Sequence, residues 1–403
     1  MAVSSIEKAQ AALSQFTLVD RETMVDELIL GSTKYSKFVN EFWTAKQRQS
    51  NSIHEISYRA CYKPELPNFF IDIFTKEGDI VYDPFAGRGT TLIEAALMNR
   101  QIIANDVNPL SKILTQPRLQ IPTISDIQER LDQIKFVDQR ADIDLSMFFH
   151  RDTESEIVSL KSNLEDNPVD NWIRMVSTNR LTGHSAGFFS GYTLPPNQAA
   201  SQHRQKLINK RLGIIPPYKN TKEIIIKKSK SLMRNISSDL SRSLENVSST
   251  AIFSSVDSRK TCHITSDSVH LTVTSPPFLN IVRYAEDNWL RSWFNGIDAS
   301  NIESKISSCR TVDKWSNVMS GVFSELYRVT VPGGWVAFEV GEVNNGRIKL
   351  DEHVIPLGLS SGFVCAGVMV NSQDFTKTSN IWGVENMKIG TNTNRIVLFH
   401  KSK

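Results

Sequence analysis

Between residues 78 and 110 the apolar positions change rhythm twice. IVYD (80–83) is a β-branched and aromatic run, TTLIEAALM (90–98) repeats its apolar residues at helical spacing, and QIIAND (101–106) returns to a buried-strand run. Strand, glycine turn, helix and strand make one βαβ unit, the opening of a doubly wound α/β sheet. Just upstream, KPELPNFFIDIF (63–74) predicts a short helix after a proline turn. The first sixty residues are polar and expected to be helical, with Phe38, Phe42 and Trp43 anchoring them to a core.

Beyond this unit the pattern departs and then resumes. Residues 126–170 carry repeated acids, and RLTGHSAGFFSGYTLPPNQ (180–198) has the Gly, Pro and aromatic content of a loop-built surface. Phe188, Phe189 and Tyr192 there read either as core or as a mobile substrate-facing loop. Helical spacing returns over 222–246, with Ile225, Met233, Ile236, Leu240 and Leu244 on one face. TCHITSDS and HLTVTSPPF then predict two further strands. A helix ending in FSELYRVT, a PGG turn and the strand WVAFEV follow, and SSGFVCAGVMV with NRIVLFHK is expected to close the sheet as an antiparallel pair. The expected organisation is a helical segment (1–60), a first half of the sheet (61–125), an insertion (126–255) and a second half (256–403).

Composition adds limits. With 403 residues and 40% hydrophobic content the chain buries a full core and carries a second module besides. No apolar run reaches the ~18 residues of a membrane span, and MAVSSIEKAQ is not a secretory signal. Four scattered cysteines without CxxC spacing fit reduced thiols in a cytoplasmic protein. Neither they nor His54, His184 and His203 have metal-ligand spacing, so no metal is expected.

Charge matters more. The net charge is +3, yet eleven Lys or Arg lie between Gln202 and Arg242, among them Lys206, Lys210, Arg211, Lys227, Lys228 and Lys230, against only Glu223 and Asp239. The rest of the chain is therefore acidic overall. A segregated basic block suits a polyanion, and it also suits a solvated helix face.

Two short strings carry candidate chemistry. In DPFAGRGTT (83–91) Gly87 and Gly89 let backbone approach a ligand at a strand's carboxyl end, the binding edge of α/β sheets. No Gly-Lys-Ser/Thr follows, so this is not a phosphate loop, nor is it a dinucleotide GxGxxG. Asp106, ending the second strand, is placed for the two hydroxyls of a ribose; helix-start aspartates also occur for capping alone. A ribose site without a pyrophosphate site fits a nucleoside such as S-adenosylmethionine. The second string is TSPPF (274–278). Pro276 and Pro277 give no backbone donors, and Pro277 fixes the direction of the Pro276 carbonyl. That carbonyl and Ser275 Oγ suit the hydrogens of an exocyclic base amine, whose lone pair is otherwise delocalised into the ring. Phe278 would stack on the base, a contact worth about 1–3 kcal/mol, against the few kcal/mol that flipping costs.

These strings resemble the S-adenosylmethionine-dependent DNA amino-methyltransferases. DPFAGRGTT matches their cofactor loop and TSPPF their catalytic tetrapeptide with its preceding threonine; KPELPNFFIDIF and FSELYRVTVPGGWVAFEVGEV are similar to flanking segments. The resemblance implies a Rossmann-like class I methyltransferase sheet, with Asp83, Pro84, Phe85, Ala86, Gly87, Gly89, Thr90, Thr91 and Asp106 at the cofactor. It also implies that Asp267, in HITSDS, bonds the adenine amine; a simple turn aspartate is the alternative. Ser275, Pro276, Pro277 and Phe278 would be catalytic. Ser-Pro-Pro-Tyr/Phe is the usual form in cytosine-N4 enzymes and Asp/Asn-Pro-Pro-Tyr/Phe in adenine-N6 enzymes. No cysteine follows a proline, so the nucleophile of carbon-5 methylation is missing.

The order of cofactor loop, long insertion and catalytic loop makes the basic insertion the implied target-recognition region, with Lys206, Lys210, Arg211, Lys227, Lys228, Lys230 and Arg283 toward DNA phosphates. The expected partner is double-stranded DNA, with a cognate restriction endonuclease as a second, and the expected place is the cytoplasm, at the nucleoid. Glu339 and Glu342 read as structural. The alternatives are adenine-N6 methylation, RNA methylation, and an inactive subunit that only binds nucleic acid.

Overall fold

Seven strands form the central sheet among the described residues, and in all but the short Ile252–Ser254 strand the apolar runs are buried on both faces. They are β3 (Ile80–Asp83), β4 (Gln101–Asn105), β5 (Ile252–Ser254), β6 (Val269–Thr274), β7 (Thr330–Val340), β8 (Val364–Ser372) and β9 (Thr393–His400). Two more, β1 (Met24–Leu30) and β2 (Thr33–Asn40), extend one edge, and the order is β1-β2-β8-β9-β7-β6-β3-β4-β5. From β7 to β5 all neighbours are parallel, while β9 runs antiparallel between β7 and β8. This is a Rossmann-like α/β sheet, as expected. The computed structural model describes residues 5–18, 21–43, 50–59, 61–183, 185–193, 199–277, 284–299, 301–302, 309, 311–343, 347–372 and 393–403.

Period-two alternation divides the sheet residues between two cores. Val81, Ile102, Leu271, Val273, Ala337 and Ile396 face one side, whereas Tyr82, Ile103, Val336, Phe338, Val397 and Phe399 face the other. The first side is covered by α2 (Glu65–Phe74), α3 (Thr90–Leu97) and the insertion's helices, the second by α13 (Val312–Val329) and α14 (Leu350–Ser360). Between α3 and the insertion lies α4 (Leu110–Thr115).

The insertion runs between β4 and β5 as α5 (Ile124–Gln133), α6 (Arg151–Asn163), α7 (Pro168–Arg180), α8 (Gln202–Leu212), α9 (Thr221–Leu232) and α10 (Ser238–Ser248). Each start has a side-chain cap, from Thr123, His150, Asn167, Ser201, Asn220 and Ser237. Trp172, Ile173, Leu232 and Leu244 pack in the same cluster as Val81 and Leu92. The insertion also docks on the segment after the Ser-Pro-Pro string, α11 (Tyr284–Asp287) and α12 (Trp289–Phe294). There Trp289 Nε1 donates to the Ala200 carbonyl at 3.1 Å, and Trp293 Nε1 to Asp142 at 2.7 Å.

Three expectations are corrected. The described residues of the first sixty hold one α-helix, α1 (Ser5–Ser14), then the β1–β2 hairpin and a single 3-10 turn at Ser52–His54. The hairpin forms because β2 finds a parallel partner in β8, with Phe38 opposite Met369; Phe38, Phe42 and Trp43 are buried as expected. The span 222–246 is two helices, since Ser237 caps a new one. Finally, TCHITSDS is a turn and the strand lies earlier, at Ile252–Ser254. The carbonyls of Thr261 and Ile264 go to the Arg328 guanidinium at 3.1 and 2.9 Å instead of to a strand. No helix among the described residues is long and apolar enough to cross a membrane.

Candidate active site

One pocket lies at the carboxyl ends of β3, β4 and β6, where the two strings meet. The cofactor-type loop contributes Phe85, Ala86, Gly87, Arg88 and Thr90, and Asp106, Val107 and Asn108 follow β4. Asp257 and Ser258 follow β5, and Ser275 and Pro277 follow β6. Trp315, Val318, Met319 and Val322, one face of α13, make an apolar wall, with Tyr58, Cys61, Tyr62 and Cys309 completing it.

The loop turns as its glycines allow. Gly87 has φ +53° and Gly89 φ +76°, and a Cβ on Gly89 would lie 2.3 Å from Thr115 Oγ1. The Gly87 amide donates to Asp106 Oδ2 at 2.8 Å and the Asn108 amide to Oδ1 at 2.8 Å. Burial nonetheless pushes the Asp106 carboxyl up to about 6. Arg88 ties the loop to the preceding segment through the Ile56 carbonyl at 2.7 Å.

Other residues of the string frame the pocket rather than line it. Asp83 is 1% exposed and accepts from Thr274 Oγ1 at 2.6 Å, Tyr62 Oη at 2.9 Å and the Phe85 amide at 3.0 Å. Burial raises its pKa to about 6, these hydrogen bonds opposing the rise. Thr91 Oγ1 donates to the Val273 carbonyl at 3.0 Å, and the Pro84 carbonyl accepts from Ser258 Oγ at 2.8 Å. Asp83 and Thr91 therefore stitch β3 and its helix to β6, one residue short of Ser275.

Beyond the end of β6, Trp315 Nε1 donates to the Pro277 carbonyl at 3.0 Å. Strand register sets Ser275 beside Glu339, whose carboxylate is 6% exposed; burial raises its pKa, and the Ser275 and Asn394 side chains oppose the rise. Phe278 and Arg283 lie outside the described residues.

Two expected site residues are elsewhere. Asp267 precedes β6, at the amino edge of the sheet and away from the pocket. Its amide donates to the Arg328 carbonyl at 3.0 Å and its carboxylate takes Lys401 Nζ at 2.6 Å. The acid that does reach the pocket after the third parallel strand is Asp257. Lys228 has a side chain only 12% exposed, turned to Glu55 at 3.6 Å. Burial, with Arg180 nearby, lowers its pKa to about 8, so it presents no outward ammonium. Lys227 and Lys230 on α9, and Lys210 and Arg211 on α8, are exposed, while Lys206 pairs with Asp144 at 2.9 Å. Asp257 and Trp315 line the pocket and were missed, and Glu339 was read as structural. Asp257 was findable by placing the third strand at IFS; Trp315 and Glu339 depend on tertiary packing.

Comparison with known proteins agrees with this geometry. Residues 6–112 match the sequence model of a family described as DNA methylase, and residues 74–176 one described as RMKL-like, methyltransferase domain. The type II methyltransferase M.HindIII of Haemophilus influenzae is 48% identical over 52 residues, 13% of this chain and 17% of its own. M.MjaII of Methanocaldococcus jannaschii, also a type II methyltransferase, is 30% identical over 77 residues, 19% and 14% of the two chains. The tRNA (guanine(10)-N2)-dimethyltransferase of the same archaeon is 33% identical over 98 residues, 24% and 28%. The matches thus span under a third of each relative's length. A solved SAM-dependent methyltransferase from Methanosarcina mazei covers 83% of this chain and 97% of its own at 9% identity and TM-score 0.34. The fold rests on strand order, not on that superposition.

Proposed function

We propose that this chain is an S-adenosylmethionine-dependent DNA amino-methyltransferase acting on the N4 amine of a cytosine flipped from the duplex. The observation that carries the reading is the convergence of Gly87 and Asp106 with Ser275 and Pro277 on one pocket. The matched DNA methylase family and the two type II relatives support it.

The pocket fits the cosubstrate by its chemistry. Asp106 takes the ribose hydroxyls, the Gly87 backbone passes beside the nucleoside, and Trp315, Val318 and Met319 cover the adenine. Asp257 and Ser258 offer polar atoms at the adenine edge, the part first given to Asp267. When bound, the sulfonium supplies an electrophilic methyl group. The chain's own work is orientation: Ser275 Oγ and the Pro276 carbonyl accept the amine's hydrogens, directing the nitrogen lone pair at the methyl carbon. Phe278 stacks on the base, and the exposed lysines and arginines of α8 and α9 contact phosphates. Ser275 favours cytosine N4 over adenine N6. A restriction endonuclease of the same specificity is the proposed partner.

The test is methyl transfer from labelled S-adenosylmethionine to mixed-sequence duplex DNA and to RNA, with mass spectrometry of the digested nucleosides. N4-methylcytosine from DNA is the expected product. N6-methyladenine would overturn the base assignment alone. Label only in RNA would favour the second reading, which the stretch shared with the tRNA dimethyltransferase supports. No label in either would overturn the enzyme reading.

A further inference from the structure

The helix α8, QHRQKLINKRL, inverts the usual division of its two faces. A surface helix ordinarily buries an apolar stripe, and α9 does so with Ile224, Ile225 and Leu232. On α8 the buried residue is Gln205, 0% exposed. Its inward face consists of three amides, each donating to a backbone carbonyl. Gln202 Nε2 reaches Asp144 at 2.8 Å, Gln205 Nε2 reaches Tyr192 at 2.7 Å and Asn209 Nδ2 reaches Met147 at 2.7 Å. Such bonds are directional, so they fix the rotation of the helix about its axis as well as its place.

The outward face is thereby set. Leu207 lies across the helix from Gln205 and Asn209 and is 54% exposed. His203, Arg204, Lys210 and Arg211 stand three or four residues from it, hence around it on one face, and all four are exposed. No acidic residue lies between Ser201 and Thr221. The helix also begins beside the active site. Just before it, the Ala199 amide donates to the Asp287 carbonyl at 3.0 Å, and the Ala200 carbonyl accepts from Trp289 Nε1. Asp287 in turn holds Arg59, next to the pocket residue Tyr58.

Resting on the DNA methyltransferase reading above, we infer that α8 is the base-reading element of this chain, entering the major groove of the duplex beside the base to be flipped. Cations around an apolar centre, on a helix about 16 Å long, match a groove about 12 Å wide with phosphates along its rims. Arg204 takes the O6 and N7 acceptors of a guanine, and Leu207, one turn on, packs against a thymine methyl. Both lie in the amino-terminal part of the helix, the part from which groove-entering helices contact bases. Lys210 and Arg211, nearer the other end, hold flanking phosphates. The exposed lysines of α9, a helix anchored in the core, add charge without readout. Duplex RNA does not suit this face, because side chains cannot read its deep, narrow major groove.

The experiment methylates a randomised duplex DNA library with the full chain and locates the modified bases by sequencing. Wild type is compared with R204Q, L207A, K210Q/R211Q and K227Q/K230Q, and S-adenosylmethionine affinity is measured for each. R204Q should lose about 10–100-fold in rate on the preferred sequence while other sequences change little, which relaxes the preference at one guanine. L207A should relax it at a neighbouring thymine. The two double variants should slow every sequence alike, weaken the salt dependence and keep the wild-type preference. Cofactor affinity should stay within about threefold of wild type throughout. The preference is a ratio of rates, so a partly unfolded variant still reports it. A wild-type preference kept by both R204Q and L207A would overturn the inference alone. So would an equal loss on every sequence, the mark of phosphate contacts only, or a wild type that methylates DNA without preference. A wild type that labels RNA and not DNA, or labels neither, would overturn the reading beneath it as well.

Discussion

Gly87 and Gly89 both adopt left-handed φ, yet their surroundings differ. A Cβ on Gly87 meets only Tyr58 ring carbons, at 3.6 Å, whereas one on Gly89 runs into the Thr115 side chain. G89A should therefore cost over about 2 kcal/mol of stability and G87A about 1 kcal/mol, read from urea midpoints. G87A should show its main defect in S-adenosylmethionine affinity instead. Phe278 permits the opposite separation. F278A should leave that affinity within about threefold while slowing methyl transfer more than tenfold, consistent with a lost stack of about 1–3 kcal/mol. Equal loss of both would place the catalytic loop elsewhere.

At the scale of elements, α9 presents two kinds of lysine. Lys227 and Lys230 are exposed, while Lys228 turns inward to Glu55. K227Q/K230Q should weaken DNA binding and reduce the slope of log affinity against log salt by about two, measured by fluorescence anisotropy. K228M should leave that slope unchanged and alter thermal stability. Legibility in sequence also divides by element. β3, β4, β6, β7, β8 and β9 were readable because doubly buried strands are continuous apolar runs. β2 was not: TKYSKFVN is neither a continuous apolar run nor a regular alternation, and its partner β8 lies more than 320 residues away. IFS is too short to show a period, while TCHIT alternates like a strand but sends its carbonyls to Arg328. The same misplacement moved the expected adenine-binding acid from Asp257 to Asp267. Glycine loop, Asp106 and Ser-Pro-Pro were legible because backbone chemistry restricts those residue types; the placing of Glu339 beside Ser275 was not, because it comes from strand register.

For the molecule as a whole, two buried carboxylates set a pH dependence. Asp83 and Asp106 have folded pKa values of about 6, raised chiefly by burial. The folded state thus holds protons that the unfolded chain has released above about pH 4. Their stabilising contribution is fully present below that pH and is lost as pH rises through about 6. D83N, which cannot ionise, should flatten its share. Between pH 4 and 7.5, wild type should lose about 2–3 kcal/mol more than D83N in urea unfolding. An identical pH response in the two proteins would mean that the folded pKa of Asp83 is not raised, so that it ionises in the fold as it does in the unfolded chain.

The pairing of β3 with β6, Val81 beside Leu271, also has a meaning for synthesis. The two strands sit side by side at the centre of the sheet, with the whole insertion made between them. A ribosome adding about 5–20 residues per second delivers β6 roughly 10–40 s after β3. During that interval the newborn β3–β4 pair has an open hydrogen-bonding edge exactly where the active site will later form. The helices of the insertion, emerging meanwhile, can already shelter one face of those strands, leaving the edge and the other face for chaperones to guard until Ser275 arrives.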